Sequence, residues 1–157
     1  MTGPEASGAA PVFIYAPDPD NPGWLSWDTV DRERFNAQVM GKLLVRSEGP
    51  KTCRLRMFPQ VHHSNMLGAI HGGVTLALID IALFAAMRTL LDGDAVGSVT
   101  LDLTNQFIGV GHLDEPLDAV TEVLRETRRL VFLRGLVVQG EHLVASFTGT
   151  LRKPRST

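Results

Sequence analysis

An apolar stretch at residues 74–91 (VTLALIDIALFAAMRTLL) dominates this sequence. A membrane span needs about 20 predominantly apolar residues, so the length of the stretch alone would allow one. Asp80 and Arg88 interrupt it, however, and a charge near the middle of a bilayer costs about 2.5–3.5 kcal/mol. The sequence holds no second segment of this kind. It therefore predicts a buried core helix and no membrane span.

The apolar residues on either side of this stretch recur with the two-residue period of half-buried strands. Two such runs flank a Glu-Gly-Pro turn, and four follow the apolar stretch. They lie at residues 42–47, 52–58, 98–107, 117–126, 130–138 and 143–151. The run at 130–138 (LVFLRGLVV) is nearly continuous, which predicts a central strand. Because the connections between the late strands are short, we expect those strands to form an antiparallel meander.

The first 40 residues differ from the rest of the chain. Residues 1–22 contain five of the nine prolines and few large apolar side chains, which predicts a loose arm. Residues 28–40 place apolar side chains at near-helical spacing after Asp28, a plausible N-cap, and predict a short amphipathic helix. We therefore divide the chain into an N-terminal arm with a short helix at 1–40 and a main domain at 41–157.

Together these elements predict an α+β fold, in which a curved antiparallel sheet of about six strands wraps a long central helix. The 157 residues leave room for one compact domain of this kind. A helix that is apolar on every side has to be enclosed on every side. We therefore expect a second subunit to cover what the sheet leaves bare.

Charge and cysteine content exclude several classes of protein. The chain has 15 Lys and Arg against 17 Asp and Glu, so it lacks the basic excess of a dedicated nucleic-acid binder. Cys53 is the single cysteine, which rules out an intrachain disulfide and the Cys clusters of zinc sites. The first twenty residues have no basic region followed by a long apolar run. These features predict a cytoplasmic protein.

The start of the apolar helix is the first candidate for chemistry. Gly72 and Gly73 lie where the helix must begin, and free N–H groups at a helix N-terminus attract negative charge. They could stabilise the oxyanion that a thioester carbonyl becomes during hydrolysis. The alternative is that the two glycines only make a tight turn into the helix. Asn65 and His71 lie just upstream as further polar candidates.

Asp80 lies about two turns into the same helix. Its neighbours on the same helix face are apolar: Leu76, Ala77, Leu83 and Phe84. Burial among them would raise the carboxyl pKa towards a value that suits a general base. The alternative is a structural aspartate bonded to a backbone group or to an arginine.

Other catalytic arrangements have weaker support. The chain lacks the G-x-S-x-G motif of a serine nucleophile, and Cys53 lies on an alternating strand where a buried thiol is expected. His62 and His63 are adjacent, so on an extended chain their side chains point apart. HExxH is absent, and we predict no metal.

Positive charge is concentrated in residues 125–157, which hold seven Lys and Arg against two Glu. Arg128 and Arg129 fall in the turn before the LVFLRGLVV strand. Their guanidinium groups could bind phosphates at the mouth of a pocket. A solvated basic turn is the alternative.

These residues resemble the hotdog-fold acyl-CoA thioesterases, and within them the phenylacetate-pathway (PaaI) type. That family has an Asn, a short loop ending in His-Gly-Gly, and an acidic residue eight positions after the first of those glycines. Asn65, His71-Gly72-Gly73 and Asp80 match this pattern. A T-x-D-L-x-x-x-F strand that starts at Thr100 and the run VASFTGTLRK at 144–153 also resemble the family. The resemblance covers about residues 40–153.

The resemblance implies that the Gly72 N–H polarises the thioester carbonyl while Asp80 activates water or attacks directly. Asn65 would help to place the water or the substrate, and Thr100 would lie near the reacting centre. In this family the parts come from two subunits of a homodimer, often paired again into a tetramer. The turn with Arg128 and Arg129 would approach the CoA nucleotide. No cofactor is implied, because CoA is part of the substrate.

Two other functions stay open at this point. Hotdog hydratases and dehydratases are related, but their His and acid motifs are spaced differently. A non-catalytic acyl-CoA sensor could keep the pocket and lose the base, although the presence of Asp80 argues against it. Four apolar residues predict an apolar acyl pocket. They do not distinguish an aryl from a fatty acyl group. They are Met66, Leu67, Phe84 and Phe107.

Overall fold

The structure is a computed structural model, and it describes residues 13–92 and 95–155. Nine strands and one long helix carry the fold. The strands are β1 (Phe13–Ile14), β2 (Leu25–Ser26), β3 (Asp28–Thr29), β4 (Leu43–Ser47), β5 (Thr52–Met57), β6 (Val99–Phe107), β7 (Leu117–Glu126), β8 (Leu130–Gln139) and β9 (His142–Arg152). The helix α1 spans Gly72–Leu90. Two single turns of other helix types lie at Asn36–Met40 (π) and Val61–His63 (3₁₀).

Seven strands form one antiparallel sheet in the order β2-β4-β5-β7-β8-β9-β6, and β1 pairs separately with β3. All six predicted strands are present, and the two-residue β2 adds a seventh beside β4. The predicted meander is correct for β7, β8 and β9. It is wrong for β6, which crosses over to pair with β9 at the sheet edge instead of lying beside β7. The long connection between β6 and β7 makes this crossover possible.

Helix α1 packs against the inner face of the sheet, which confirms the predicted α+β architecture. It contacts every long strand, and nine of its residues are buried. By length and composition α1 could span a membrane, but 56% of the residues in its most apolar stretch are buried inside the fold. The apolar stretch is therefore the core helix that the sequence predicts. It begins at Gly72, where the glycine pair predicts its start.

The predicted amphipathic helix at residues 28–40 is wrong. Asp28 and Thr29 form strand β3, and Asp28 bonds the backbone N–H of Thr29 without capping a helix. The helical part is limited to Asn36–Met40. Val30 and Phe35 remain 49% and 56% exposed, so no continuous apolar face packs on the core. Pairing with β1 fixes Asp28 and Thr29, the start of this segment, in an extended conformation.

The predicted loose arm is also wrong for residues 13–22, while residues 1–12 lie outside the described residues. Phe13 and Tyr15 pack against the core. The buried carboxylate of Asp18 accepts hydrogen bonds from the side chains of Asn21, Ser26 and Lys42. The segment from Phe13 to Ser26 is therefore held to the sheet by apolar contacts and by a polar network.

Candidate active site

The N-terminus of α1 presents a free backbone donor at Gly72. His71 is the N-cap, and its Nδ1 accepts a hydrogen bond of 2.9 Å from the N–H of Gly73. The next N–H, that of Val74, donates to the His71 carbonyl. Within the part of the chain that the structure describes, the Gly72 N–H makes no hydrogen bond. His71 thus accepts the hydrogen bonds of the Gly73 and Val74 N–H groups and leaves the Gly72 N–H open for a ligand.

Glycine at position 72 also allows an aromatic ring to approach the backbone. A Cβ atom there would lie 3.1 Å from Cζ of Phe107, at the end of β6. The Phe107 ring is otherwise 58% exposed. An apolar surface therefore lies directly beside the open donor.

Asn65 lies in the loop before α1 and uses its side-chain oxygen to shape that loop. Its Oδ1 accepts hydrogen bonds from the N–H groups of Leu67 (2.9 Å) and Ala69 (3.1 Å). Both partners can only donate, so this atom is the amide oxygen. The Nδ2 group has no partner among the described residues. Asn65 can therefore offer a ligand a hydrogen-bond donor.

Asp80 is half-buried on α1, and its Oδ1 accepts a hydrogen bond of 2.7 Å from the Thr100 hydroxyl on β6. The register of β6 against β9 shifts between Thr100 and Asp102, which places a bulge next to the contact. The partner of the carboxylate is thus a hydroxyl, whereas a purely structural aspartate was expected to bond a backbone group or an arginine. The other carboxylate oxygen has no partner among the described residues.

The structure brings the predicted site residues together in two groups. Asp80 and Thr100 form one group, and Asn65, His71 and Gly72 form the other. Asp80 follows Gly72 by eight residues in a continuous helix, which separates them by about 12 Å along the helix axis. One carbonyl cannot contact both groups of the same chain.

Arg128 and Arg129 lie in a strongly basic cavity of about 540 Å³. Three further cations share it: Arg152, Lys153 and Arg155. The β8–β9 pairing brings them there, because Leu130 lies opposite Arg152 and the Lys153 N–H donates to the Arg129 carbonyl. The local excess of positive charge was visible in the sequence, but the strand register was needed to join the turn to the C-terminal residues.

This basic cavity lies near the start of β6 but is lined by neither Asp80 nor Thr100. Arg152 also lies opposite Val99 on β6, and Thr100 is the next residue along that strand. Successive residues of a strand point to opposite faces of the sheet. Thr100 faces α1 and lies opposite buried Leu151, whereas Arg152 is exposed on the other face.

A second cavity, of about 710 Å³, lies on the outer face of the sheet. Glu122, Arg134 and Leu136 are among the residues that line it, and Arg134 is paired with Glu122 at 2.8 Å. The cavity contains none of the predicted site residues and is separated from α1 by the sheet.

The other nucleophile and ligand candidates are held in structural contacts. Burial raises the pKa of the Cys53 thiol to about 12, so the thiolate is not available near neutral pH. The prediction that His62 and His63 point apart is wrong, because they lie on a 3₁₀ turn with ring centroids 3.9 Å apart. Among residues 13–92 and 95–155, no three His, Cys, Asp or Glu side chains are grouped to hold a metal ion.

A long helix wrapped by an antiparallel sheet is the architecture of the hotdog fold. In this chain an open donor lies at the helix start and a carboxylate two turns later. Residues 67–146, just over half of the chain, match the family model described as thioesterase superfamily. The chain belongs to this superfamily, which confirms the resemblance drawn from the sequence.

Individual relatives agree with this assignment. Human acyl-coenzyme A thioesterase 13 is 25% identical over 114 residues, which cover 67% of this chain and 80% of that protein. The solved structure of the conserved protein PA5202 from Pseudomonas aeruginosa has 28% identity and a TM-score of 0.66, and the match covers 76% of this chain and 93% of that one. A mutant structure of the phenylacetic acid degradation protein PaaI from Thermus thermophilus has 26% identity and a TM-score of 0.61, with coverage of 71% and 92%.

Proposed function

We propose that this protein is an acyl-CoA thioesterase that hydrolyses an acyl-CoA to the free acid and CoA. The observation that carries the proposal is the open N–H of Gly72 at the start of α1, together with a Thr100-bonded Asp80 on the same helix. The name of the human relative, an acyl-coenzyme A thioesterase, supports CoA esters as the substrate class.

The Gly72 N–H would bind the thioester oxygen, and the positive end of the helix dipole adds to its effect as negative charge develops there. His71 keeps the Gly73 N–H occupied, so the substrate oxygen meets a single defined backbone donor. The Asn65 Nδ2 group would hold the substrate or the water. Asp80 would take a proton from that water or attack the thioester carbon directly.

We propose that each site is built from two chains of a homodimer. The separation of about 12 Å between Gly72 and Asp80 in one chain supports this arrangement, because both groups have to reach one carbonyl. Strand β6 pairs only with β9 among the described residues, and its other edge is open. Leu101, Phe107 and Ile108 on and after this strand are all more than half exposed. A second copy would cover these side chains, and two such dimers could pair as a tetramer.

The basic cavity would bind the phosphates of CoA. Arg128 and Arg129 are the two residues expected from the sequence, and Arg152, Lys153 and Arg155 extend the set. Lys153 is paired with Glu126, which leaves four arginines around the cavity for a ligand with several phosphate charges.

The acyl group would lie against apolar side chains near Gly72. The Met66 and Leu67 side chains are almost fully exposed in the single chain, and Phe107 packs on Gly72. Half-buried Phe84 follows Asp80 by one helical turn. An aryl or a fatty acyl group would match this surface. The reaction needs water and the CoA ester, so we propose no cofactor, and we propose a cytoplasmic location.

A hydrolysis screen tests the function directly. Aryl-, short-chain and long-chain acyl-CoA esters are incubated with the protein, and free thiol is measured against Asp80→Asn as the control. Turnover by the wild-type protein that Asp80→Asn loses supports the thioesterase. Tight binding of acyl-CoA without thiol release would support the sensor instead. Hydration of an enoyl-CoA, followed by its absorbance, would support the hydratase.

A further inference from the structure

His63 is a buried side chain that the proposed mechanism does not use. It is 1% exposed, whereas its neighbour His62 is exposed. Nδ1 of His63 accepts a hydrogen bond of 2.9 Å from the Gln60 N–H, and a backbone N–H can only donate. The proton of the neutral ring is therefore on Nε2, which donates to the Val39 carbonyl at 2.6 Å. Burial lowers the pKa of His63, which favours this neutral form.

The backbone of His63 forms the base of the loop that carries Asn65. The His71 N–H donates to the His63 carbonyl at 2.8 Å, and the Asn65 N–H donates to the Ala69 carbonyl at 2.7 Å. Ser64 pairs with Ile70 between these two bonds. Residues 63–71 thus form a closed loop whose ends meet at His63 and His71, directly before Gly72.

The anchor at Val39 is itself fixed in the core. Val39 lies in the turn Asn36–Met40, and Met40 is 1% exposed. At the far end of the loop, Met66 and Leu67 are fully or almost fully exposed. The second tie of the loop to the rest of the fold is the Ile70 N–H, which donates to the Gly111 carbonyl.

We infer that His63 is a positioning residue for Asn65. By tying the base of the loop to Val39, it fixes the Asn65 amide relative to the Gly72 N–H. The inference rests on the proposed function, because it assigns to Asn65 a contact with the reacting groups. Donors of this kind act only when they are held within about 0.5 Å of the productive geometry.

The test compares three variants under conditions in which the wild-type protein hydrolyses its best acyl-CoA from the screen. His63→Leu removes both ring contacts, and we expect kcat to fall about tenfold with KM within about twofold. His63→Gln keeps an amide donor that can reach the Val39 carbonyl, and should retain most of kcat. His62→Leu is the matched control, because His62 Nε2 makes only a longer hydrogen bond of 3.2 Å with the same carbonyl and its side chain is exposed. It should leave kcat and KM unchanged.

A double-mutant comparison separates positioning from a general loss of folding. In an Asn65→Ala background His63→Leu should lower kcat by less than about twofold, because the group that it positions is gone. An effect through stability would multiply kcat by the same factor in both backgrounds. If circular dichroism shows that His63→Leu is unfolded, His63→Asn replaces it, since Asn can accept from Gln60 but is too short to reach Val39.

Equal losses in both backgrounds, or wild-type kcat in His63→Leu, would overturn the inference and leave the thioesterase in place. Failure of His63→Gln to recover kcat above His63→Leu would overturn the role of the Val39 bond. A wild-type protein that releases no thiol from any CoA ester would contradict the proposed function and this inference with it.

Discussion

The Thr100 hydroxyl donates a hydrogen bond of 2.7 Å to Oδ1 of Asp80 and joins the edge strand β6 to the middle of the core helix. A β-bulge between Thr100 and Asp102 accompanies the contact. Because one carboxylate oxygen is held by the hydroxyl, the side chain has a defined orientation. The other oxygen can then face water or substrate, which is the geometry that a general base or a nucleophile requires.

If Asp80 is that base or nucleophile, removing its charge should abolish most of the activity. We expect Asp80→Asn and Asp80→Ala each to lower kcat by about a hundredfold or more. Steady-state release of free thiol measures this, with thermal unfolding as the control for folding. Turnover close to that of the wild-type protein in both variants would remove Asp80 from the mechanism.

Thr100 should act through the orientation of Asp80. Thr100→Val has nearly the same shape but loses the donor, and we expect kcat to fall about fivefold to tenfold. Thr100→Ser keeps the hydroxyl and should stay within about threefold of the wild-type kcat. Equal kcat values for the Val and Ser variants would show that the hydrogen bond has no part in the reaction.

If the basic cavity binds the CoA phosphates, its arginines should affect KM. Arg128→Ala and Arg129→Ala should raise KM for acyl-CoA esters about tenfold with little change in kcat, because a remote phosphate contact binds ground and transition states alike. For acyl thioesters that lack the nucleotide, the same variants should have the kcat and KM of the wild-type protein. Arg134→Ala, on the outer face of the sheet, is the matched control. Equal effects on both kinds of thioester would contradict a phosphate role.

The elements that could be predicted from the sequence are those with a local signal. The helix from Gly72 to Leu90 follows from one long apolar stretch, and the six long strands follow from short apolar runs that mostly alternate. The start of α1 follows from the glycine pair. The extended start of the segment 28–40 could not be predicted in this way, because Asp28 and Thr29 pair with β1 and this pairing overrides the helical spacing of the apolar residues.

The same distinction applies to the candidate site. Asn65, Gly72 and Asp80 lie within one short segment, so their spacing alone selects them. Arg152 lies next to Arg129 only because β8 and β9 pair in a particular register, which composition does not reveal. The role inferred for His63 depends on a contact with Val39, 24 residues earlier in the chain, for which no sequence pattern exists.

Asp18 should make the stability of the fold depend on pH. Hydrogen bonds from Asn21 and Lys42 lower the pKa of Asp18 to about 2, below its usual value of 3.8. A carboxyl with a lowered pKa in the folded state stabilises the protein above its unfolded pKa, and this effect is lost as pH falls towards the folded pKa. Asp18→Asn should therefore have a lower melting temperature than the wild-type protein at pH 6, and the difference should shrink between about pH 4 and pH 2.

Melting curves at pH 6, 4 and 3 for the two proteins test this, with Asp20→Asn as a control, since Asp20 is an exposed carboxylate close by in the chain. A difference in melting temperature that is the same at every pH would show that the Asp18 network stabilises the fold independently of the charge on the carboxylate. The network also implies that deleting residues 1–22 destabilises the fold, in contrast to the loose arm expected from composition.

A site shared between two chains can be tested by mixing damaged chains. Asp80 from one chain and Asn65 with Gly72 from the other would make each site of a dimer depend on both chains. Homodimers of Asp80→Ala and of Asn65→Ala are then damaged at both of their sites. In a mixed dimer, one site receives both substitutions and the other receives neither.

Mixing the two damaged proteins should therefore restore activity above that of either one alone. After random exchange about half of the dimers are mixed and each has one intact site, so the mixture should recover about a quarter of wild-type turnover. If all three residues acted within one chain, no mixed dimer would contain an intact site and mixing would restore nothing. Two different affinity tags, recovered together after mild denaturation and refolding, show that the chains have exchanged. Recovery of both tags without turnover would contradict a site shared between two chains, and it would require Asp80 and Gly72 to act about 12 Å apart on one helix.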